Sequence, residues 1–189
     1  MPFIGNKPSA IPLTSADIAD GIITSAKIAD GAIVNADINA SAGIVSSKLS
    51  GTGKVLQVIT ATDDTQRSTS STTFVTGSNT LSVSITPASA SNKIFIVANV
   101  NSGDADTGGE RHFTIQRGAT NLGITSGLAQ GRSNASEGFS MNVNMAVLDS
   151  PSTTSATTYQ VYMRSPSGNT TTMNTNSCRG TITCLEIQG

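Results

Sequence analysis

Few side chains in this chain of 189 residues could act in catalysis. The single histidine, His112, is out of phase with Phe113 and Ile115 and in phase with Thr114, so in a strand it would share the polar face with the threonine. The sequence has no Gly-x-Ser-x-Gly nucleophile motif, although residue counts alone leave a Ser-His-Asp site open. We expect His112 to be a surface side chain and predict no catalytic residue.

Carboxylates cluster in one glycine-rich stretch, at Asp104, Asp106 and Glu110. Their oxygens could bind a hard cation such as calcium, but an EF-hand loop starting at Asp104 would have Gly108 at its fifth position and Ile115 at its twelfth, where a bidentate glutamate is needed. The same carboxylates could act as the acid and base of a glycan hydrolase. With no tryptophan and 2 tyrosines, the chain offers little aromatic surface for sugars. We predict an exposed loop, with no metal and no cofactor.

Two further motifs are incomplete. The segment Gly51-Thr-Gly-Lys54 ends like a phosphate-binding loop, but Lys48 stands where glycine is required and Val55 replaces the serine or threonine. The cysteines, Cys178 and Cys184, match neither a disulfide framework nor a four-ligand metal site. Two separate thiols and one local disulfide both fit their positions.

Charge is scarce along the whole chain. Charged residues make up 12% of it and the net charge is −1, whereas about 25% is usual. Without a basic excess there is no electrostatic footprint for nucleic acid. No run approaches the length of a membrane span, and the N-terminus lacks the basic and apolar regions of a signal peptide. We predict no nucleic-acid partner and no membrane insertion.

The stretch 1–13 interleaves three prolines with apolar residues. Each proline fixes φ and removes a backbone donor, which favours an extended peptide without a core of its own. Extended peptides with apolar anchors commonly dock in a groove of another protein. We predict that this anchor binds a partner through Phe3, Ile4, Pro8 and Pro12, with a frayed terminus as the alternative.

A ten-residue repeat occupies residues 14–53. Ser15–Gly21 matches Ser25–Gly31 at all but one position, and residues 35–38 and 46–49 are degenerate copies. In each copy a serine or asparagine could cap one helical turn. In the first two copies a glycine follows, where φ would become positive.

One helical turn is not stable alone, and such a short unit cannot bury its own apolar residues. Ile18, Ile28, Ile38 and Leu49 recur at near-constant spacing. They would form successive apolar layers on an axis shared by several chains. We predict that residues 14–53 form a slender intertwined stalk; a disordered low-complexity linker is the alternative.

From residue 54 onward apolar and polar residues alternate, as in Leu81, Val83 and Ile85. A period of two is typical of half-buried strands. The expected strands cover residues 55–61, 73–76, 81–86, 93–100, 112–117, 121–125, 139–147, 158–164 and 180–187. No stretch here has the period of a long amphipathic helix. The pattern predicts an all-β fold, an antiparallel β-sandwich of jelly-roll type over residues 54–189.

Several segments resemble those of bacteriophage fibre proteins. The repeat of the type Ser25-Ala-Lys-Ile-Ala-Asp-Gly-Ala-Ile33, after a short N-terminus containing proline, is similar to the stalks of tail-fibre proteins. Leu81–Pro87, Ile115–Gly118, Leu148–Pro151 and Cys184–Ile187 resemble the C-terminal domain of small virion fibre proteins, especially of marine phages. These motifs mark turns and strands rather than catalytic sites.

The resemblance implies a homotrimer in the virion, made in the bacterial host, with a β-sandwich knob that faces the host cell. Its N-terminus would bind another virion protein in the tail, the neck or a capsid adaptor. The loops at residues 104–111, 127–137 and 165–176 could contact a glycan or protein of the host surface. A decoration protein without receptor binding is the alternative.

Overall fold

The computed structural model describes residues 14, 18–39, 41–43, 54–104, 109–132 and 140–189. The chain divides into two units, Met1–Ser50 and Gly51–Gly189. Several residues singled out above lie outside the described ranges: Phe3, Ile4, Pro8, Pro12, Leu49 and Asp106. No helix among the described residues is long and apolar enough to cross a membrane.

The second unit is built from strands. Its described residues form β1 Val55–Asp63, β2 Arg67–Thr69, β3 Ser82–Ile85, β4 Lys93–Asp104, β5 Glu110–Arg117, β6 Thr120–Asn121, β7 Ala129–Arg132, β8 Met141–Asp149, β9 Thr157–Arg164, β10 Thr171–Met173 and β11 Gly180–Ile187. A six-stranded sheet has the order β1-β11-β4-β10-β2, with β8 also paired to β4. A five-stranded sheet has the order β3-β9-β5-β6, with β7 also paired to β5.

The pairing of the strands identifies the topology. β1 pairs with β11, β3 with β9, β4 with β8 and β5 with β7, all antiparallel. In chain order each pair encloses the next, from β1 and β11 at the ends of the domain to β5 and β7 near its middle. Successive pairs lie alternately in the six-stranded and the five-stranded sheet. Such nesting is that of a jelly roll. The predicted all-β antiparallel sandwich is confirmed.

The core lies between the two sheets and follows the predicted period of two. Burial alternates without interruption along β11, from Gly180 to Ile187, and Val83 and Ile85 of β3 point inward. Each large apolar side chain that is fully buried contributes about 1.5–3 kcal/mol. The core consists of Leu81, Val83, Ile85, Ile94, Ile96, Ala98, Val100, Phe113, Ile115, Val143, Met145, Tyr159, Val161, Met163, Met173, Ile182 and Cys184.

Some expected strands are much shorter than the sequence indicated. Residues 73–76 contribute only an isolated bridge at Val75, and residues 121–125 only the end of β6 and a bridge at Ile124. The strands β2, β7 and β10 were not predicted. All three are short, and Thr171–Met173 of β10 is buried at every position, so it shows no alternation.

Candidate functional site

Where the structure describes the ten-residue repeat, at residues 18–39 and 41–43, the backbone forms a regular series of turns. One-turn 3-10 helices occupy Ser25–Lys27 and Asn35–Asp37. Reverse turns follow at the same spacing, with φ of +77° at Gly21 and Gly31 as the sequence predicts. Their backbone bonds join the N–H of Ile22 to the carbonyl of Ala19 (3.2 Å), Ala32 to Ala29 (2.9 Å) and Ala42 to Asn39 (2.8 Å).

The predicted serine or asparagine cap is wrong at the two helical turns that the structure describes, where Ser25 and Asn35 lie inside the turn. Thr24, at the N-cap position of the first turn, makes no side-chain hydrogen bond. At the next turn the Asp37 carboxylate accepts a 2.9 Å bond from the N–H of Val34. This is the reaching-back half of a capping box, so the third residue of the turn supplies the cap.

The isoleucines predicted to line the axis are uncovered in the single chain. Ile18, Ile28 and Ile38 are 44%, 38% and 41% exposed, and the last two each follow a helical turn directly. Every described side chain between Ile18 and Gly43 is exposed. Among the described residues of this unit, the other exposed large apolar side chains are Ile22, Ile23, Ile33 and Val34. Over its described residues the repeat therefore has a regular backbone and no buried side chain.

A second uncovered apolar surface lies on the outer face of the six-stranded sheet. The register places Val58, Leu185, Phe95 and Leu148 side by side across four strands. Val58 and Leu148 are 57% and 52% exposed, and the other two are half-buried. Contiguous apolar surface of this kind is typical of protein–protein contacts. We call these four residues the apolar row.

His112 is buried, so the prediction of a surface histidine is wrong. Its Nδ1 lies 3.1 Å from Nη2 of Arg164, and this guanidinium stacks 4.8 Å from the centre of the Phe74 ring. Arg164 also donates to the carbonyl of Thr125 at 2.8 Å. His112 is on the face expected from the pattern, but these groups from neighbouring segments cover that face.

The surroundings of His112 do not provide a general base. Burial and the positive charge of Arg164 lower the pKa of His112, while Glu110 raises it by a smaller amount. Nδ1 accepts the hydrogen bond from Arg164, so the proton of the neutral ring is on Nε2, 3.7 Å from Glu110 Oε2. Glu110 also pairs with Arg132 at 3.6 Å. The lone pair of Nδ1 is engaged with Arg164, and protonated Nε2 has none, so the neutral ring has no free lone pair with which to act as a general base.

A buried carboxylate of β11 has a structural role. Glu186 accepts bonds from Asn92 Nδ2 (2.6 Å), the Ala88 N–H (2.7 Å) and Gln57 Nε2 (2.5 Å). Burial alone raises the pKa of Glu186, but these three hydrogen bonds outweigh burial and leave the pKa below its ordinary value. The side chain therefore stays ionised and braces the segment that joins β3 to β4.

Asp149 at the end of β8 links the two sheets. It accepts hydrogen bonds from Arg117 Nη1 (2.9 Å) and from the Tyr159 hydroxyl (2.7 Å), which both belong to the opposite sheet. Burial, followed by the bond to this carboxylate, raises the pKa of Tyr159. The phenol therefore stays protonated and donates permanently.

The remaining candidates give no assembled reactive site. No group of three histidine, cysteine or acidic side chains is close enough to hold a metal ion in the part of the chain that the structure describes. Asp106 and the side chain of Asp104 lie outside that part. Cys178 and Cys184 are separate thiols, the first exposed and the second buried. Burial raises the pKa of Cys184 to about 12, so this thiol is unreactive.

Comparisons with known proteins give weak similarities. No protein-family model and no curated protein matches the sequence. A solved structure of the infectious bursal disease virus VP2 subviral particle is 15% identical with a TM-score of 0.34, and the match covers 70% of this chain and 37% of that one. A structure of the Gx strain of that virus is 12% identical with a TM-score of 0.35, covering 71% and 33%. The chain thus spans about a third of the length of both, and its fold is assigned from its strand pairing alone.

Proposed function

We propose that this chain is a non-enzymatic structural component of a phage virion. It is a trimeric fibre in which residues 14–53 form the stalk, residues 1–13 anchor it to a tail, neck or capsid-adaptor protein, and the sandwich contributes to attachment to the host cell. The observation that carries the proposal is the uncovered isoleucine series Ile18, Ile28 and Ile38.

Covering these side chains supplies the free energy for assembly. Among the described residues of the repeat, seven large apolar side chains are uncovered in one chain, and burying the exposed part of each is worth on the order of 1 kcal/mol. The neighbours that cover them are copies of the same repeat, because a ten-residue period produces apolar layers that match only a surface of equal period. In a closed, symmetric trimer each apolar layer of one chain faces the same layer of the other two chains.

The chemistry of the sandwich favours a binding role over catalysis. His112 Nδ1 accepts a hydrogen bond from Arg164, and the carboxylate of Glu186 accepts hydrogen bonds from Asn92, Ala88 and Gln57, so neither of these buried titratable groups is a free acid or base. An attachment protein needs no such reactive group. Weak contacts from three knobs, and from several fibres on one particle, would multiply into firm attachment.

Two measurements test the proposal. Light scattering of the purified protein should give three times the chain mass of 19.2 kDa, and the protein in excess should compete with phage for adsorption to host cells. A mass near one chain would contradict the trimer. A trimer that does not compete, with fibreless particles that adsorb normally, would favour the decoration protein.

A further inference from the structure

A shallow pocket on the outer face of the six-stranded sheet gathers four asparagines. β4 carries Asn99 and Asn101, and β8 carries Asn142 and Asn144. In the register of these strands Asn99 lies opposite Asn144, and Asn101 lies opposite Asn142. All four point away from the core, because the residues that alternate with them are buried. Cys178 and Arg179 complete the wall of this pocket, which has a volume of about 260 Å³.

Hydrogen bonds beside the pocket fix the direction of its amides. The Thr175 hydroxyl donates to Asn101 Oδ1, and Asn101 Nδ2 donates to Asn142 Oδ1 at 3.1 Å. Each of these amide oxygens therefore already accepts one hydrogen bond. Among the described residues the N–H groups of Asn142, which lines the pocket, make no such bond and are available as donors to a ligand.

Arg179 adds positive charge to the same wall. Its Nη2 makes a single 3.4 Å contact with Asp64, and both side chains are 65% exposed. An exposed pair of this kind is weak and is easily exchanged for another anion. The planar guanidinium can take a carboxylate by two parallel hydrogen bonds.

The segment that supplies this wall is held in an unfavourable backbone conformation. Asn174, Asn176 and Ser177 all have positive φ, at 58°, 56° and 58°. Left-handed residues other than glycine cost of order 1 kcal/mol each and cluster at functional sites. Asn174 is fixed by donating its N–H to the Asn101 carbonyl at 2.6 Å and its amide to the Asp63 carbonyl at 2.9 Å. These bonds hold the start of the segment that leads to Cys178 and Arg179 against β4 and β1.

We propose that this asparagine pocket binds an acidic sugar residue of a cell-surface polysaccharide. The carboxylate of the sugar bonds to Arg179 and to the N–H groups of Asn142, and its hydroxyls bond to the amides of Asn99 and Asn144. A donor-rich wall selects a ligand rich in acceptors, which distinguishes a uronic acid from a neutral sugar. The inference rests on the proposed attachment function and names its ligand class.

Calorimetry with the full-length protein tests this pocket. The probes are oligogalacturonate and oligomannuronate, with a neutral galactose oligosaccharide of equal length for comparison. We expect the acidic probes to bind about tenfold or more tightly than the neutral one, and to weaken as salt is raised. Equal binding of acidic and neutral probes, or no binding of either acidic probe, would overturn the proposal.

Variants locate the site on the protein. Asn142→Asp keeps the oxygen that accepts from Asn101 but replaces the N–H groups with negative charge, and Arg179→Gln removes the guanidinium. Both variants should bind the acidic probes about tenfold or more weakly than the parent protein. Ser84→Asp adds the same charge at an exposed position of the other sheet and should change nothing. If both pocket variants bind like the parent protein, the site is wrong.

The exposed thiol gives an independent readout. A thiol reagent should modify Cys178 and spare the buried Cys184, and bound oligogalacturonate should slow that reaction. Unchanged reactivity at saturating probe would count against the pocket. A trimer that competes with phage for cells while Asn142→Asp has no effect would leave the proposed function standing without this site. A monomeric protein would contradict the proposed function, whatever the pocket binds.

Discussion

The carboxylate of Asp149 binds two side chains of the opposite sheet. Tyr159→Phe removes the hydroxyl that donates to it at 2.7 Å and leaves the buried ring in place. A hydrogen bond to a charged group is worth about 1.5–3 kcal/mol, and we expect the free energy of unfolding in urea to fall by that amount. Tyr162→Phe, at a half-buried neighbour on the same strand, is the control. Equal losses in the two variants would contradict the role of Asp149.

His112 should make the sandwich sensitive to mild acid. Burial and Arg164 lower the pKa of His112 in the folded state below its ordinary value of 6.5. The unfolded chain then binds the proton first, so stability is complete above pH 6.5 and is lost as the pH falls through the folded pKa. Thermal unfolding at a series of pH values should show this loss. In His112→Gln the part of the loss between pH 6.5 and the folded pKa should disappear, and an unchanged profile would show that His112 is not its source.

For a single residue, the sequence predicts on which face of a strand the side chain lies better than it predicts which residues surround that side chain. The alternation around His112 gives its face correctly, because side chains alternate in any strand. It cannot show that Arg164 and Phe74 from distant segments cover that face. The pair of Asn101 and Asn142 is likewise invisible in the sequence, because the two residues are 41 positions apart and meet only through the register of β4 and β8.

Among the elements, the two repeat turns that contain Gly21 and Gly31 depend on glycine for their geometry. Gly31 has a φ of +77°, and a Cβ built there would meet no atom within 4 Å. Gly31→Ala would therefore cost only the left-handed backbone penalty, about 1–2 kcal/mol per chain. We expect the assembled protein to melt at a lower temperature. Gly43 also has open space around it but no positive φ, so Gly43→Ala should melt at the temperature of the parent. Equal melting temperatures of the two variants would contradict the left-handed conformation at Gly31.

The predicted strands show where periodicity is informative. Long strands such as β8 and β11 have one face on the core, so burial selects an apolar residue at every second position. Short strands carry too few residues to display a period. In β10 both faces are covered, and the backbones of Thr171 and Thr172 pair with the neighbouring strands β2 and β4. Polar residues are therefore buried there without an alternating pattern in the sequence.

At the scale of the molecule, the scarcity of charged residues and the uncovered apolar surface both favour association of the chain with its own copies. Serine, threonine and asparagine coat the outer face of the sandwich, and the apolar row Val58, Leu185, Phe95 and Leu148 interrupts that coat. The repeat adds further apolar side chains that one chain leaves uncovered. A surface with little net charge does not repel its own copies, so association depends on how well the apolar positions match.

A charge placed in the isoleucine series tests whether the repeat drives assembly. In a trimer, Ile28→Asp would bring three carboxylates close together in an apolar layer, and the repulsion together with desolvation costs on the order of several kcal/mol. We expect light scattering to show dissociation towards single chains and the melting temperature of the assembly to fall. Ile124→Asp makes the same change at an isoleucine of the sandwich that is 74% exposed and should leave the mass unchanged. If Ile28→Asp keeps the mass and melting temperature of the parent, the isoleucine series does not form the axis of the assembly.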